Sequence, residues 1–200
     1  MREYVESQDK YAWIVYAIAA GVFGAMAGYI IAVQGGSARQ PAPVAQAAGP
    51  APPAAPVLDE SALRAYRDIL ARDPANLQAA VKAGNLLYDA QRYEEAIGFY
   101  RQAFALNPAD ISVSTDLGTA LWYAGRADEA LTQYAKSLAI DGTHAQTLFN
   151  VGIVRADGKG DYAGAVDAWN TLLRTNPSYP GAAKVRSLIS DAQSKVNRAS

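Results

Sequence analysis

Cysteine is absent from this sequence of 200 residues, and histidine occurs once, at His144. The first absence excludes a disulfide framework, thiolate metal sites, c-type haem attachment through this chain and bacterial lipoprotein acylation. The second leaves no histidine pair for zinc, so a lone histidine beside Gly142 and Thr143 reads as a surface or capping residue. Charge of one sign is missing too: 18 Lys and Arg against 19 Asp and Glu give a net charge of −1. That balance offers no electrostatic footprint for nucleic acid. There is no P-loop, dinucleotide fingerprint, nucleophile elbow or metalloprotease motif. Asp157-Gly158-Lys159-Gly160-Asp161 looks like part of a calcium loop, but it lacks the glutamate and the length that such a site needs. It reads as a turn between helices. The expectation is a non-enzyme with no catalytic residue, no metal, no cofactor and no small-molecule substrate.

What the sequence does have is a period. Gly84, Gly118 and Gly152 stand 34 residues apart, and Tyr66, Tyr100, Tyr134 and Trp169 follow at 34, 34 and 35. Ala62, Ala96, Ala130 and Ala165 keep the same beat, as do Pro74, Pro108 and Pro177, with Gly142 where another proline would fall. Within Leu77–Asp110 one apolar pattern of helical spacing (Leu77, Ala80, Val81, Gly84, Leu87, Tyr88) is broken at 89–92. A second (Tyr93, Ala96, Ile97, Tyr100, Ala103, Phe104) then resumes it. These are two helices that approach closely at a glycine and an alanine. Asn107-Pro108 stops the second helix, because the residue before proline disfavours the α region, and Asp110 is placed to cap the next. Each pair leaves an apolar face that only a neighbour can cover.

A period near 34 with these residue types resembles the tetratricopeptide repeat family. The first repeat reads Ala80, Ala83-Gly84, Leu87, Ala96, Tyr100, Ala103, Pro108. The second reads Ser114, Leu117-Gly118, Leu121, Ala130, Tyr134, Ser137, and the third Leu148, Val151-Gly152, Ala165, Trp169, Leu172, Pro177. The third departs at Arg155, where a large apolar residue is expected, and carries one extra residue, assigned to the turn at 158–164. The resemblance implies an all-α, right-handed solenoid of helix pairs over 58–178. It divides into a half repeat at 58–76 and repeats at 77–110, 111–144 and 145–178. Residues 179–200 follow as one amphipathic helix with Val185, Leu188, Ile189, Ala192 and Val196 on one face, suited to cap the array.

Ahead of the repeats, residues 1–10 are polar and residues 11–33 contain no charge. At ~1.5 Å per residue such a helix reaches about 34 Å, enough to cross a hydrocarbon core of about 30 Å. The expectation is a single transmembrane helix, since the stretch exceeds a signal-peptide core and Glu3, Glu6 and Asp9 spoil a basic leader. Arg2 and Lys10 before it, against Arg39 after it, place the short N-terminus in the cytoplasm and the repeats in a bacterial periplasm, anchored to the inner membrane. Ala20, Gly24 and Gly28 fall every fourth residue and would let another transmembrane helix pack closely, although glycine and alanine are also simply common in such helices. Residues 34–57 are rich in proline and alanine and read as a semi-rigid tether that spans roughly 70 Å when extended.

The resemblance also implies where partners bind. In the family the first helix of each pair lines a concave groove, which here gives Gln78, Asn85 and Tyr88 from the first repeat. Thr115, Thr119, Trp122 and Tyr123 come from the second, and Gln146, Phe149 and Asn150 from the third. Members that clamp a C-terminal carboxylate use lysine, asparagine and arginine there. This chain matches only at Asn85, with Val81, Asp116, Gln146 and Asn150 at the other clamp positions, which argues against that ligand. Trp122 and Tyr123 stand either in the groove or between repeats, whereas Trp169 is a core aromatic. The expectation is a membrane-anchored scaffold or adaptor for protein partners that supports assembly of a membrane or periplasmic complex, cytochrome c maturation being one such process. The alternative is an accessory subunit of a larger integral-membrane complex, respiratory or photosynthetic, held through its transmembrane helix.

Overall fold

The computed structural model describes residues 57–199. The expected transmembrane helix at 11–33, with Ala20, Gly24 and Gly28, and all of the tether but Val57 lie outside the described residues. Among the described residues no helix is long and apolar enough to cross a membrane, and every regular element is helical. In chain order these are α1 (Glu60–Arg72), α2 (Leu77–Asp89), α3 (Tyr93–Leu106), α4 (Ile111–Tyr123), α5 (Ala127–Ile140), α6 (Ala145–Ile153), α7 (Tyr162–Thr175) and α8 (Ala182–Ala199).

Side chains set the starts of these helices. Asp59, Asn76, Asp110 and Asp161 each accept a hydrogen bond from the backbone N–H three residues on, at 2.9, 2.9, 3.1 and 2.9 Å. Each satisfies a donor that the first turn leaves orphaned. The bend between the two helices of a repeat is closed by a residue in the left-handed region: Gln91 (φ 60°), Gly125 (φ 79°) and Gly160 (φ 64°). In the first two repeats the N–H after that residue reaches back five positions, Arg92 to the Leu87 carbonyl at 2.8 Å and Arg126 to Leu121 at 2.9 Å. In the third, Asp161 reaches back six, to Arg155 at 2.8 Å.

That difference of one residue is the insertion. The sequence reading placed it in the turn at 158–164, but α6 instead runs on into a π-helical turn, Val154–Gly158. A π turn closes i→i+5 bonds and so swallows one extra residue without opening the helix.

Packing repeats with the same period. Gly84 faces the Tyr100 ring and Gly118 the Tyr134 ring, where an added Cβ would come within 2.8 and 2.5 Å of ring carbons; Gly152 meets Trp169 in the same way. Only a hydrogen at these positions lets an aromatic side chain lie flat across the first helix. Leu63, Leu87, Ile97, Tyr100, Leu121 and Tyr134 form a core running from α1 to α5, and Leu148, Trp169, Leu172, Val185 and Ile189 form another that α8 closes. Across the second-helix face Arg92 grips Glu95 at 2.6 Å and Glu60 at 3.0 Å. One repeat on, Arg126 grips Glu129 at 2.7 Å and Glu94 at 3.1 Å.

Candidate partner-binding face

The first helices α2, α4 and α6 stand side by side, joined by contacts between residues near 34 positions apart. Thr115 and Thr147 share a hydrogen bond at 2.8 Å, and the Asn150 amide donates to the Thr119 hydroxyl at 3.1 Å. Tyr88 meets Tyr123 edge-on with ring centroids 5.9 Å apart. The face these helices share is where the groove residues fall.

Many of its polar groups already have partners. The Tyr100 hydroxyl donates to Asn85 Oδ1 at 2.9 Å, and the Tyr134 hydroxyl donates to Thr119 at 3.0 Å. In the third repeat the equivalent position is Ile153, and the Trp169 indole donates instead to the Phe149 carbonyl at 3.1 Å. Asn85 and Thr119 therefore anchor buried aromatics from the second helices. Thr119 also donates to the Thr115 carbonyl at 2.9 Å. Thr115 itself is 3% exposed, a joint between repeats with almost no surface to offer. His144 stands at the start of α6 and its Nδ1 lies 2.7 Å from the Thr147 hydroxyl. Burial holds its pKa below the usual histidine range, partly offset by the nearby Asp141 carboxylate.

The aromatic positions divide. Trp122 is half-buried, packs on the first core, and lies where an added Cβ on Gly158 would meet it at 2.6 Å, so it covers the π turn of the next repeat. Phe149 is half-buried against the second core. Tyr88 and Tyr123 instead join Tyr93, the first residue of α3, in a cluster. Tyr93 stacks on Tyr123 at 5.2 Å and meets Tyr88 edge-on at 5.4 Å. Burial raises the Tyr88 hydroxyl well above the ordinary tyrosine range, and its tyrosine neighbours add to the effect. Tyr93 was not among the groove residues read from the sequence. Its aromatic neighbours on two first helices, Tyr88 and Tyr123, are the available hint.

What remains open to a partner is smaller than the expected set. Gln78 and Gln146 are exposed, and the Gln146 amide donates to Asn150 Oδ1 at 2.9 Å. Asp116 stands in the register of Lys82 and Asn150, half-buried on α4. Burial first, then the charges of Asp110 and Asp89, push its carboxyl up to about 7. Among the described residues it makes no hydrogen bond or ion pair. No group of three metal-ligating side chains among them is placed to hold an ion.

Comparison with known proteins agrees with this geometry. A family profile described as a TPR repeat matches residues 84–125, and another described as a tetratricopeptide repeat matches residues 115–180. No curated protein sequence matches the chain. The fold is similar to the crystal structure of MamA at 19% identity, covering 68% of this chain and 87% of that one, with a TM-score of 0.56. It is equally similar to the type III secretion chaperone SycD of Yersinia enterocolitica in complex with a peptide of the translocator YopD. There the identity is 19%, over 60% of this chain and 93% of that one, with a TM-score of 0.56. At such identities the likeness is one of fold. Family matches that together run from residue 84 to residue 180, on helix pairs built around Gly84, Gly118 and Gly152, make this chain a member of the tetratricopeptide repeat family.

Proposed function

We propose that this protein is a non-catalytic scaffold that binds a segment of a partner protein on the face of α2, α4 and α6 and holds it at a membrane. The observation that carries the reading is the single continuous face made by three first helices. It is stiffened by hydrogen bonds between repeats and edged by Gln78, Gln146 and the tyrosine cluster. Side-chain amides suit the backbone of an extended or helical segment, and tyrosines supply rigid contact area at low entropic cost. SycD, similar in fold, has been crystallised with a peptide bound, which supports a peptide-sized partner.

The membrane attachment rests on the uncharged stretch at 11–33, and the periplasmic placement on the charges that flank it. Assembly of an envelope complex, cytochrome c maturation included, is the process such a layout suits. The accessory-subunit reading draws on Ala20, Gly24 and Gly28, which would give a partner helix a close seat.

A photo-crosslinking residue placed at Gln78 or Gln146 of the full-length chain, in membranes, should capture the partner, and one at Thr132 on α5 should not. Capture from Thr132 alone, or from no first-helix position, would refute the binding face. Changing Gly24 and Gly28 to leucine separates the two readings. Loss of co-purifying membrane subunits with crosslinking at Gln78 intact would favour the accessory subunit.

A further inference from the structure

We infer that α1 is an open docking site for an amphipathic helix of a partner protein, one with a glycine set against Tyr66 and a side-chain amide or hydroxyl directly after it. The inference goes beyond the α2, α4 and α6 face and does not depend on what that face binds. By the period, α1 is the second helix of a repeat. Its Ala62, Tyr66 and Ile69 share a register with Ala96, Tyr100 and Ala103 on α3 and with Ala130, Tyr134 and Ser137 on α5. The residues on α3 and α5 are at most 2% exposed, because a first helix lies over them. In α7 the same register holds Ala165, Trp169 and Leu172, again buried. On α1 this face is open: Ala62 and Tyr66 are only half-buried, and Ile69 is 39% exposed.

The repeat itself says what covers such a face. Tyr100 lies across Gly84 and Tyr134 across Gly118, and each phenol donates to the residue after the glycine, Asn85 at 2.9 Å and Thr119 at 3.0 Å. Tyr66 carries the same ring and hydroxyl, and among the described residues that hydroxyl makes no hydrogen bond. The interface between first and second helices therefore continues onto α1 with one half missing. The sequence does not write that half. The positions 34 before α2 are 43–55, with prolines at 50, 52 and 53, and a proline inside a helix removes a hydrogen bond and clashes with the preceding turn. A second copy does not supply it from the end of its array either. The helix there is α8, and where α2, α4 and α6 place glycine, seven residues after their first, α8 has Ile189, buried in the second core. A branched side chain there leaves no flat seat for a ring. The occupant is a helix from another protein.

The test is binding of a fluorescent synthetic peptide with the sequence of residues 76–92, the helix that this fold lays over Tyr100, to the full-length chain in mild detergent. Anisotropy should show saturable binding, weaker by about 10-fold or more for the same peptide carrying Gly84→Leu, because the added side chain meets the Tyr66 ring. The protein variant Ile69→Glu should weaken binding by a similar factor, since docking would bury an unpaired charge. Ile69 is exposed, so this variant should keep its fold, and circular dichroism checks that it does. Equal affinity for Ile69→Glu or for the Gly84→Leu peptide would overturn the inference, as would no saturable binding by about 1 mM peptide. Sedimentation of the chain alone covers the remaining occupant: a dimer that Ile69→Glu splits would give the face to a second copy and overturn the partner helix. None of these results touches the α2, α4 and α6 face, whose own test is crosslinking from Gln78 and Gln146.

Discussion

Replacing Asp116 with asparagine should stabilise the protein at and above neutral pH and flatten its stability between pH 5 and 8. The carboxyl value is raised from 3.8 to about 7, by burial first and by Asp110 and Asp89 after it. A folded value above the unfolded one means that the native state keeps a proton that the unfolded chain releases. The stability this confers is whole below about pH 4 and is lost as pH rises through 7. Each pH unit between the two values is worth ~1.4 kcal/mol, so the wild type gives up as much as about 4 kcal/mol across the window. Asparagine has nearly the same shape and no proton to lose. His144, lowered mainly by burial, contributes in the opposite sense, adding stability as pH rises towards its unfolded value of 6.5. It is common to both proteins, so the difference between their curves isolates Asp116. Glu95, Glu129 and Asp141, all lowered by hydrogen bonds, lose their contributions only in more acid solution. Urea unfolding followed by far-UV circular dichroism at pH 5 and pH 8 is the assay. The variant should gain about 2 to 3 kcal/mol on the wild type at the higher pH relative to the lower. Parallel curves, or a variant less stable at pH 8, would refute a buried and unpaired carboxylate.

Three further substitutions probe the scaffold beneath the face. Gly118→Ala puts a Cβ 2.5 Å from the ring of Tyr134, which is 0% exposed and cannot move aside; it should cost about 1 to 3 kcal/mol in urea unfolding. Gln91→Gly relieves a left-handed φ of 60° at an exposed bend; after the added freedom of the unfolded chain it should gain about 0.5 to 1 kcal/mol, read from the same titration. Ser114→Ala removes the acceptor of the Gln133 amide at 2.9 Å and the Ser137 hydroxyl at 2.8 Å, all three residues being buried. It should cost about 1 to 3 kcal/mol, whereas Ser112→Ala on the exposed side of the same helix should cost nothing measurable.

The helix pairs were legible because a period of 34 residues reports a repeated solution to one packing problem. Glycine, then alanine, then an aromatic at fixed spacing admits few readings, and the structure brings Gly84 to Tyr100 and Gly118 to Tyr134. The place of the inserted residue was not legible. Spacing counts residues between landmarks but not whether the extra one enters a turn or a helix, and the π turn at Val154–Gly158 was invisible for that reason. The binding face was legible only as a set of positions. Spacing puts Thr115 and Thr119 on one side of α4, but not that the Thr115 hydroxyl would be buried against Thr147 or that Thr119 would answer Tyr134. Trp122 and Tyr123 are adjacent in sequence, yet one covers Gly158 and the other stacks on Tyr93. Only the distance between successive repeats decides such cases.

The way these hydroxyls and amides are used has a consequence for binding. Asn85 and Thr119 receive the phenol groups of Tyr100 and Tyr134, which would otherwise be buried polar atoms on the flat side of a glycine. The same residues form the floor of the face, so its shape is set by the core and does not wait for a partner. A preformed surface spares the ordering cost that a loose one incurs on association. It also narrows what a partner can gain there, because a donor or acceptor already satisfied contributes little when a ligand merely exchanges one hydrogen bond for another. The groups with something left to give are the exposed amides of Gln78 and Gln146, the edges of the tyrosine cluster, and Asp116. Affinity on this face is therefore expected from its preformed shape and from those few groups, and little from the hydrogen bonds already made within it.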